Sequence, residues 1–293
     1  MRGVHTPSQI LDQNNNPAPL WRGCLFERNS VLYAGIGRNF VEKMDTIKYR
    51  PVIFLAFVFL LTWICAFVKA YINLNNLFLI YLVDFIESSS PLIVTMVLLR
   101  KYFTKKNLVH FIIGKKHRLV NYFIVLSIFV LQLLNFYLFR INNDPIVIST
   151  FITIFLGQVF LGGGLEEAGW RGYLQPAFEK KIPIILSVII VGIIWTVWHL
   201  PYFFLPNSMH SGANFIAYVI IGIITAFILV AIYKLTGSIV LCTLFHGWQN
   251  TIVMTIPANQ EHIGFMIFFL GLGIISIIIS LVHNNKLKRW YVT

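Results

Sequence analysis

The stretch "ISTFITIFLGQVFLGGGLEEAGWRGYLQPAFEKK" (148–181) decides how the chain is read. It opens as an apolar run long enough to enter a bilayer. Two glutamates, a tryptophan and an arginine then follow before it closes on Lys180 and Lys181. An ionisable group at the centre of a membrane helix costs about 2.5–3.5 kcal/mol on insertion scales, so such groups face the bundle interior and are functional candidates by default. The rest of the chain agrees with a membrane setting. Of 293 residues, 57% are hydrophobic and only 12% charged, whereas a soluble domain carries about a quarter charged residues. The fold class read from this composition is all-α, a polytopic membrane protein.

About eight transmembrane helices are expected, from runs of roughly 17–25 apolar residues. They are Pro51–Val68, Leu77–Leu99, Leu119–Phe139, a run from near Ile146, Ile182–Leu205, Phe215–Tyr233, Ser238–Ile256 and Ile263–Val282. Residues 1–43 are polar, Pro/Asn-rich and aperiodic, which predicts a disordered tail, with Met44 the natural start of a membrane-embedded domain spanning 44–293. The net charge of +12 does not indicate nucleic acid, because the basic residues sit in short loops between apolar runs. One face collects Lys43, Lys48, Arg50, the 100–118 loop, Lys180, Lys181, Lys234, Lys286, Lys288 and Arg289, while the other holds Lys69 and Arg140. That is a positive-inside pattern with both termini cytoplasmic in a plasma membrane. His110 and His117, in the basic loop, read as surface residues. Cys24, Cys65 and Cys242 make no disulfide framework.

The ionisable residues inside the runs are Asp84, Glu87, Glu166, Glu167, Arg171, His199 and His246, with Asn250 beside the last. With 148–181 taken as one helix from about 147 to 178, a rise of 1.5 Å per residue puts Glu166 about 20 Å from the basic side, His199 about 26 Å, His246 about 12 Å and Asn250 about 18 Å. A break at Gly162-Gly163-Gly164 is the second option, and either arrangement puts the glutamates beside a polar cavity. Glu167 and Arg171 are four apart and share a face, while Glu166 turns about 100° away. With Arg171 paired to Glu167, Glu166 is left as a general base. His199 would orient or deprotonate the same water, and His246 and Asn250 would donate to a developing oxyanion. The reaction such a set suits is hydrolysis of a peptide bond.

Each piece has a plainer reading. Glu167–Arg171 alone is a structural ion pair, His199 and His246 alone are core or interfacial histidines, and Asp84 and Glu87 near "SSSP" form a kink network or line a substrate path, the structural reading being preferred. The conjunction at one depth favours chemistry. No GxSxG, HExxH, Walker or dinucleotide motif is present. A dispersed set of Glu166, His199 and His246 remains open to zinc.

Three motifs in order carry a family resemblance. "EEAGWRG" (166–172) resembles the EExxxR motif of the CPBP intramembrane proteases, the CAAX-processing, bacteriocin-processing or Abi family. "WTVWHLP" (195–201) is similar to its FxxxH, with Trp195 for Phe, and "HGWQN" (246–250) to its HxxxN. The resemblance covers about 148–256. It implies a helical endopeptidase with its site inside the bilayer, open toward the cytoplasm. Glu166 is then the base, His199 its partner, Glu167 and Arg171 the supporting pair, and His246 and Asn250 the oxyanion donors. Both metal-dependent and metal-free mechanisms are argued for the family, and a site needing no cofactor is the expectation here. The expected partner is a membrane-associated, in some members lipidated, protein or peptide. The competing readings are a non-catalytic scaffold or self-immunity factor that keeps the fold, and an ion-coupled transporter using Glu166 and Asp84, against which the lack of visible internal repeats counts.

Overall fold

The computed structural model describes residues 50–72, 76–101, 103–114, 117–205, 208 and 210–289. The expected tail, its Met44 boundary, Cys24, Lys43 and Lys48 lie outside the described residues. The elements are α1 (Arg50–Tyr71), α2 (Leu77–Leu99), α3 (Lys105–Ile113), α4 (Leu119–Leu138), α5 (Ile148–Phe160), α6 (Ile184–Trp198), α7 (Phe215–Thr236), α8 (Ile239–Thr255) and α9 (Ile263–Arg289). Among the described residues there is no strand, only an isolated bridge between Arg140 and Ala258. The protein is an all-α polytopic membrane protein.

The outward faces are as apolar as the core. On α1, Ile53, Phe57, Leu60, Ile64 and Phe67 are exposed at three- and four-residue spacing, while Phe54, Val58, Thr62 and Cys65 turn inward. A helix apolar on both faces is one solvated by lipid on its outer side. Helix α7 is the axis of the bundle. It packs on α4, α6, α8 and α9, and every side chain from Thr225 to Ile232 is buried.

Among the described residues six of the eight expected spans are long and apolar enough, by length and composition alone, to cross a membrane: Pro51–Tyr71, Leu77–Leu99, Leu119–Leu138, Ile148–Glu179, Phe215–Thr236 and Ile263–His283. Helix α6 has 15 residues and α8 has 17. The first is cut short because Pro201 has no N–H and its ring disfavours helix in the preceding turn, so the chain passes at His199 into a 3-10 turn, Leu200–Phe203.

The single long helix over 147–178 is also corrected, in favour of the break. Helix α5 stops at Phe160, where the N–H groups of Leu161 and Gly162 both fall on the Gly157 carbonyl. Gly163 then takes φ +108°, a left-handed conformation that favours glycine. A Cβ on Gly162 would lie 2.2 Å from Gln158 Oε1, and one on Gly164 2.6 Å from the Val159 carbonyl oxygen. The chain resumes as a 3-10 turn (Gly164–Glu166), an α turn (Glu167–Gly169), a π turn (Trp170–Leu174) and a last α turn (Gln175–Glu179). Irregular backbone inside a membrane is tolerated only against protein or a water-filled cavity, and here the segment lies against α2 on one side and lines a cavity on the other. Gly169 sits against Pro91 of α2, where an added Cβ would lie 2.4 Å from the proline Cβ. Pro91 in turn frees the Glu87 carbonyl, which accepts a bond from the Thr62 hydroxyl at 3.4 Å.

Candidate active site

The interrupted segment places Glu166 and Glu167 in different surroundings although they are adjacent. Glu167 turns into protein. Its Oε1 accepts from Arg171 Nη1 at 3.2 Å and from His246 Nδ1 at 2.8 Å. Glu167 is fully buried and Arg171 is 1% exposed. The Arg171 guanidinium also lies over the Trp195 ring, 5.3 Å from its centre. A buried charge persists only if paired and hydrogen-bonded; these contacts pair Glu167 Oε1 with Arg171 Nη1 and fix the His246 ring, while Glu167 Oε2 and Arg171 Nη2 are buried without a hydrogen bond from the described residues.

Glu166 faces a cavity of about 840 Å³. Its Oε2 accepts two indole N–H bonds, from Trp195 at 2.7 Å and Trp170 at 3.1 Å. No described residue donates to its Oε1. A Cβ on Gly163 would lie 2.5 Å from that oxygen and 3.3 Å from His246 Nε2. The free carboxylate oxygen and the free imidazole nitrogen therefore converge on the same small space above a glycine.

His199 reaches the cavity by a different route. The end of α6 leaves the Trp195 carbonyl without its helical N–H partner, and His199 Nδ1 takes that carbonyl at 2.9 Å. A carbonyl only accepts, so Nδ1 carries the proton, and in the neutral imidazole Nε2 is left as an acceptor. Asn250, one turn beyond His246, donates from Nδ2 to the Gly162 carbonyl at 2.8 Å. One of its two amide hydrogens thus secures the break, and the other remains for a ligand. Glu166, His199, His246 and Asn250 all line the one cavity, while Glu167 and Arg171 stand behind it.

Several residues of this site were not found by sequence reasoning. The indoles of Trp170 and Trp195 are the donors that hold Glu166. Trp170 lies four residues after Glu166, so helical spacing alone carried that signal. Around His199 an aromatic wall forms from Tyr218, at 5.6 Å between ring centres, and His210, at 6.0 Å. Burial pushes the His210 imidazole pKa down. Lys69, counted above only as a loop charge, pairs with Asp84 at 2.9 Å and with Glu87, and all three line the far end of the cavity.

Among the described residues no three His, Cys, Asp or Glu side chains gather as a group able to hold a metal ion. As placed, Glu166, His199 and His246 share a cavity without forming a ligand set.

The comparisons with known proteins come down on the same region. Residues 148–252 match the family described as type II CAAX prenyl endopeptidase, Rce1-like. That match contains all six candidate residues. A curated protein of Methanococcus maripaludis named CAAX prenyl protease 2 is 26% identical over 235 residues, covering 71% of this chain and 85% of that protein. Both findings agree with the resemblance to the CPBP, or CAAX protease, family that the three motifs carry.

Proposed function

We propose that this chain, a polytopic membrane protein similar to CPBP-family CAAX proteases, hydrolyses a peptide bond in a membrane-associated protein or peptide, with Glu166 activating water. The observation that carries the reading is the division of work between the two oxygens of Glu166. Oε2 is held by two indoles, and Oε1 faces a cavity beside His246 Nε2 with no donor from the described residues.

Those positions support the following steps. Water between Glu166 Oε1 and His199 Nε2 gives one proton to the carboxylate as its oxygen attacks the substrate carbonyl. His199 accepts a hydrogen bond from the other O–H and orients the attack. The oxyanion that forms lies toward His246 and Asn250. His246 is held by Glu167 through Nδ1, and as imidazolium it donates from Nε2, which also leaves the buried set of two carboxylates, one guanidinium and one imidazolium neutral overall. Asn250 supplies its second amide N–H. Glu166 then returns the proton to the leaving amine, the C–N bond breaks, and the products are an acid and an amine. General base and oxyanion groups contribute about 10²–10⁴-fold and 10²–10³-fold each. No step uses a metal. Chelation with EDTA or 1,10-phenanthroline is expected to leave cleavage intact.

The test is Glu166→Gln. The amide keeps an acceptor for the indoles but is no base. Membrane-fraction peptide termini are compared between cells expressing the parent and the variant, with folding checked by size exclusion in detergent. The expected result is a set of termini that require Glu166, falling by at least about 10²-fold in rate on a purified peptide. Prenylated C-terminal segments, named for the matched proteins, are the first peptides to try. Identical termini from two folded, abundant proteins would remove the protease reading and favour a scaffold that retains the fold.

A further inference from the structure

Lys69, Asp84 and Glu87 bring charge into the cavity lining that the hydrolytic steps leave unused. Lys69 stands in the last turn of α1. Asp84 and Glu87 are three apart on α2 and share one face. Two carboxylates meet one ammonium, so the group holds one negative charge in excess. The set around Glu166 is neutral with His246 as imidazolium, and the excess is then the net charge of the cavity wall.

The group is short of donors as well as of positive charge. Glu87 is 6% exposed, and its buried Oε2 touches Lys69 but takes no hydrogen bond from any other described residue. Lys69 gives its hydrogen bond to Asp84 Oδ1 at 2.9 Å, and no described residue donates to Asp84 Oδ2. The contact between α1 and α2 does not depend on these charges, because the Thr62 hydroxyl already meets the Ser90 hydroxyl and the Glu87 carbonyl. A carboxylate taken out of water needs a paired and hydrogen-bonded counter-charge, and one ammonium serves two of them. The position is fixed relative to Glu166, since Pro91, one helical turn after Glu87, packs on Gly169 of the interrupted segment. An incoming anion would meet two carboxylates sharing one ammonium, so the fitting guest is a cation.

We propose that Asp84 and Glu87 form a subsite for a lysine or arginine side chain of the peptide held in the cavity. The ammonium or guanidinium donates to Asp84 Oδ2 and brings the group to neutrality, while Lys69 keeps its own bond to Oδ1. The subsite selects substrate and takes no part in the hydrolytic steps. It rests on the proteolytic reading only in calling the bound peptide a substrate.

A charge probe tests this without reading cleavage. Ala70→Cys places a thiol in the cavity lining beside Lys69. It is combined with Cys24→Ser, and Cys24→Ser alone gives the background from Cys65 and Cys242, which are buried. In detergent the thiol reacts with 2-aminoethyl or with 2-sulfonatoethyl methanethiosulfonate. Both reactions form a disulfide, release methanesulfinate and use the same thiolate. Their rate ratio, taken against free 2-mercaptoethanol, therefore reads the charge around the reagent. The ammonium reagent is expected to be favoured roughly fivefold, the scale of a partly exposed ion pair. Asp84→Asn leaves Lys69 and Glu87 as a neutral pair and should bring the ratio near one. A ratio near one before that change, a preference for the sulfonate, or a ratio that Asp84→Asn does not alter overturns the proposal. In peptides that the protein cleaves, a single lysine is then moved in place of glutamine along the positions beside the cut. At one position lysine should speed cleavage about fivefold, and in Asp84→Asn the lysine and glutamine peptides should be cut at the same rate. No gain from lysine at any position, or a gain from glutamate, overturns the subsite. A chain that cleaves no peptide removes the proteolytic reading, and the thiol ratio still decides whether the cavity takes a cation.

Discussion

Glu166 and Glu179 are both buried carboxylates on the same interrupted segment, and they differ in one respect. Glu179 has each oxygen paired within the chain: Oε1 takes the Gln175 amide at 2.9 Å and Oε2 takes the Lys234 ammonium. It lines no part of the large cavity. Glu166 concentrates its protein donors on one oxygen and leaves the other to the cavity. Burial and charge alone do not separate a structural carboxylate from a chemical one. What the unpaired oxygen faces does: Glu167 also takes both its donors on one oxygen, but its other oxygen is buried in protein, whereas that of Glu166 faces the cavity. The Lys69–Asp84–Glu87 group falls between them, since it is paired like Glu179 but lines the cavity like Glu166.

The contrast predicts opposite phenotypes. Lys234→Ala leaves Glu179 buried without its counter-charge, and removal of one partner of a buried pair costs about 3–5 kcal/mol. Thermal unfolding in detergent should show that loss, with turnover per folded molecule unchanged. If turnover falls while stability holds, Glu179 belongs to the chemistry and the contrast fails. Gly163→Ala acts on the other pole. An L residue in left-handed backbone costs about 1–2 kcal/mol, and the methyl would intrude within 2.5 Å of Glu166 Oε1. Misplacement of a reacting group on that scale costs about 10²-fold. Cleavage should therefore fall by more than the stability loss accounts for. Parental cleavage by Gly163→Ala would show that Oε1 does not need the space above the glycine.

Much of this was legible in the sequence for a physical reason. Apolar length and scarce charge dictate a helical bundle in lipid, and ionisable residues inside apolar runs must meet each other or a cavity. Glu166, His199, His246 and Asn250 do line one cavity, with Glu167 and Arg171 paired behind it. The break at Gly162–Gly164 was harder to choose because Glu167–Arg171 keeps helical spacing on the far side of it. Helix α6 was read too long because His199 and Pro201 end the regular hydrogen bonding inside an apolar run. Lys234 and Lys69 were read as topology charges. What each does depends on a partner distant in sequence, Glu179 for one and Asp84 with Glu87 for the other, and no local pattern reports that. Asn250 was assigned to substrate alone, although the free carbonyl of a broken helix needs a donor and Gly162 takes one from it.

Trp195 gives the finest test of how Glu166 is held. The related motif has Phe at this place, and Trp here adds an N–H that reaches Oε2 at 2.7 Å. Trp195→Phe keeps an aromatic ring beneath Arg171 and against His246, whose ring centre lies 5.4 Å away, and removes only the donor. Trp170 still donates at 3.1 Å, so the carboxylate is not abandoned. A hydrogen bond to a charged group is worth about 1.5–3 kcal/mol, and with one donor retained the lower end applies, roughly a tenfold fall in cleavage with little change in unfolding temperature. A Phe variant that cleaves like the parent would assign the hold on Oε2 to Trp170, and Trp170→Phe would then have to show the tenfold loss instead. If neither single change matters but the double variant is inactive, the two indoles are redundant holders of one oxygen. The asymmetry between Oε1 and Oε2 would then be a property of the pair rather than of either residue.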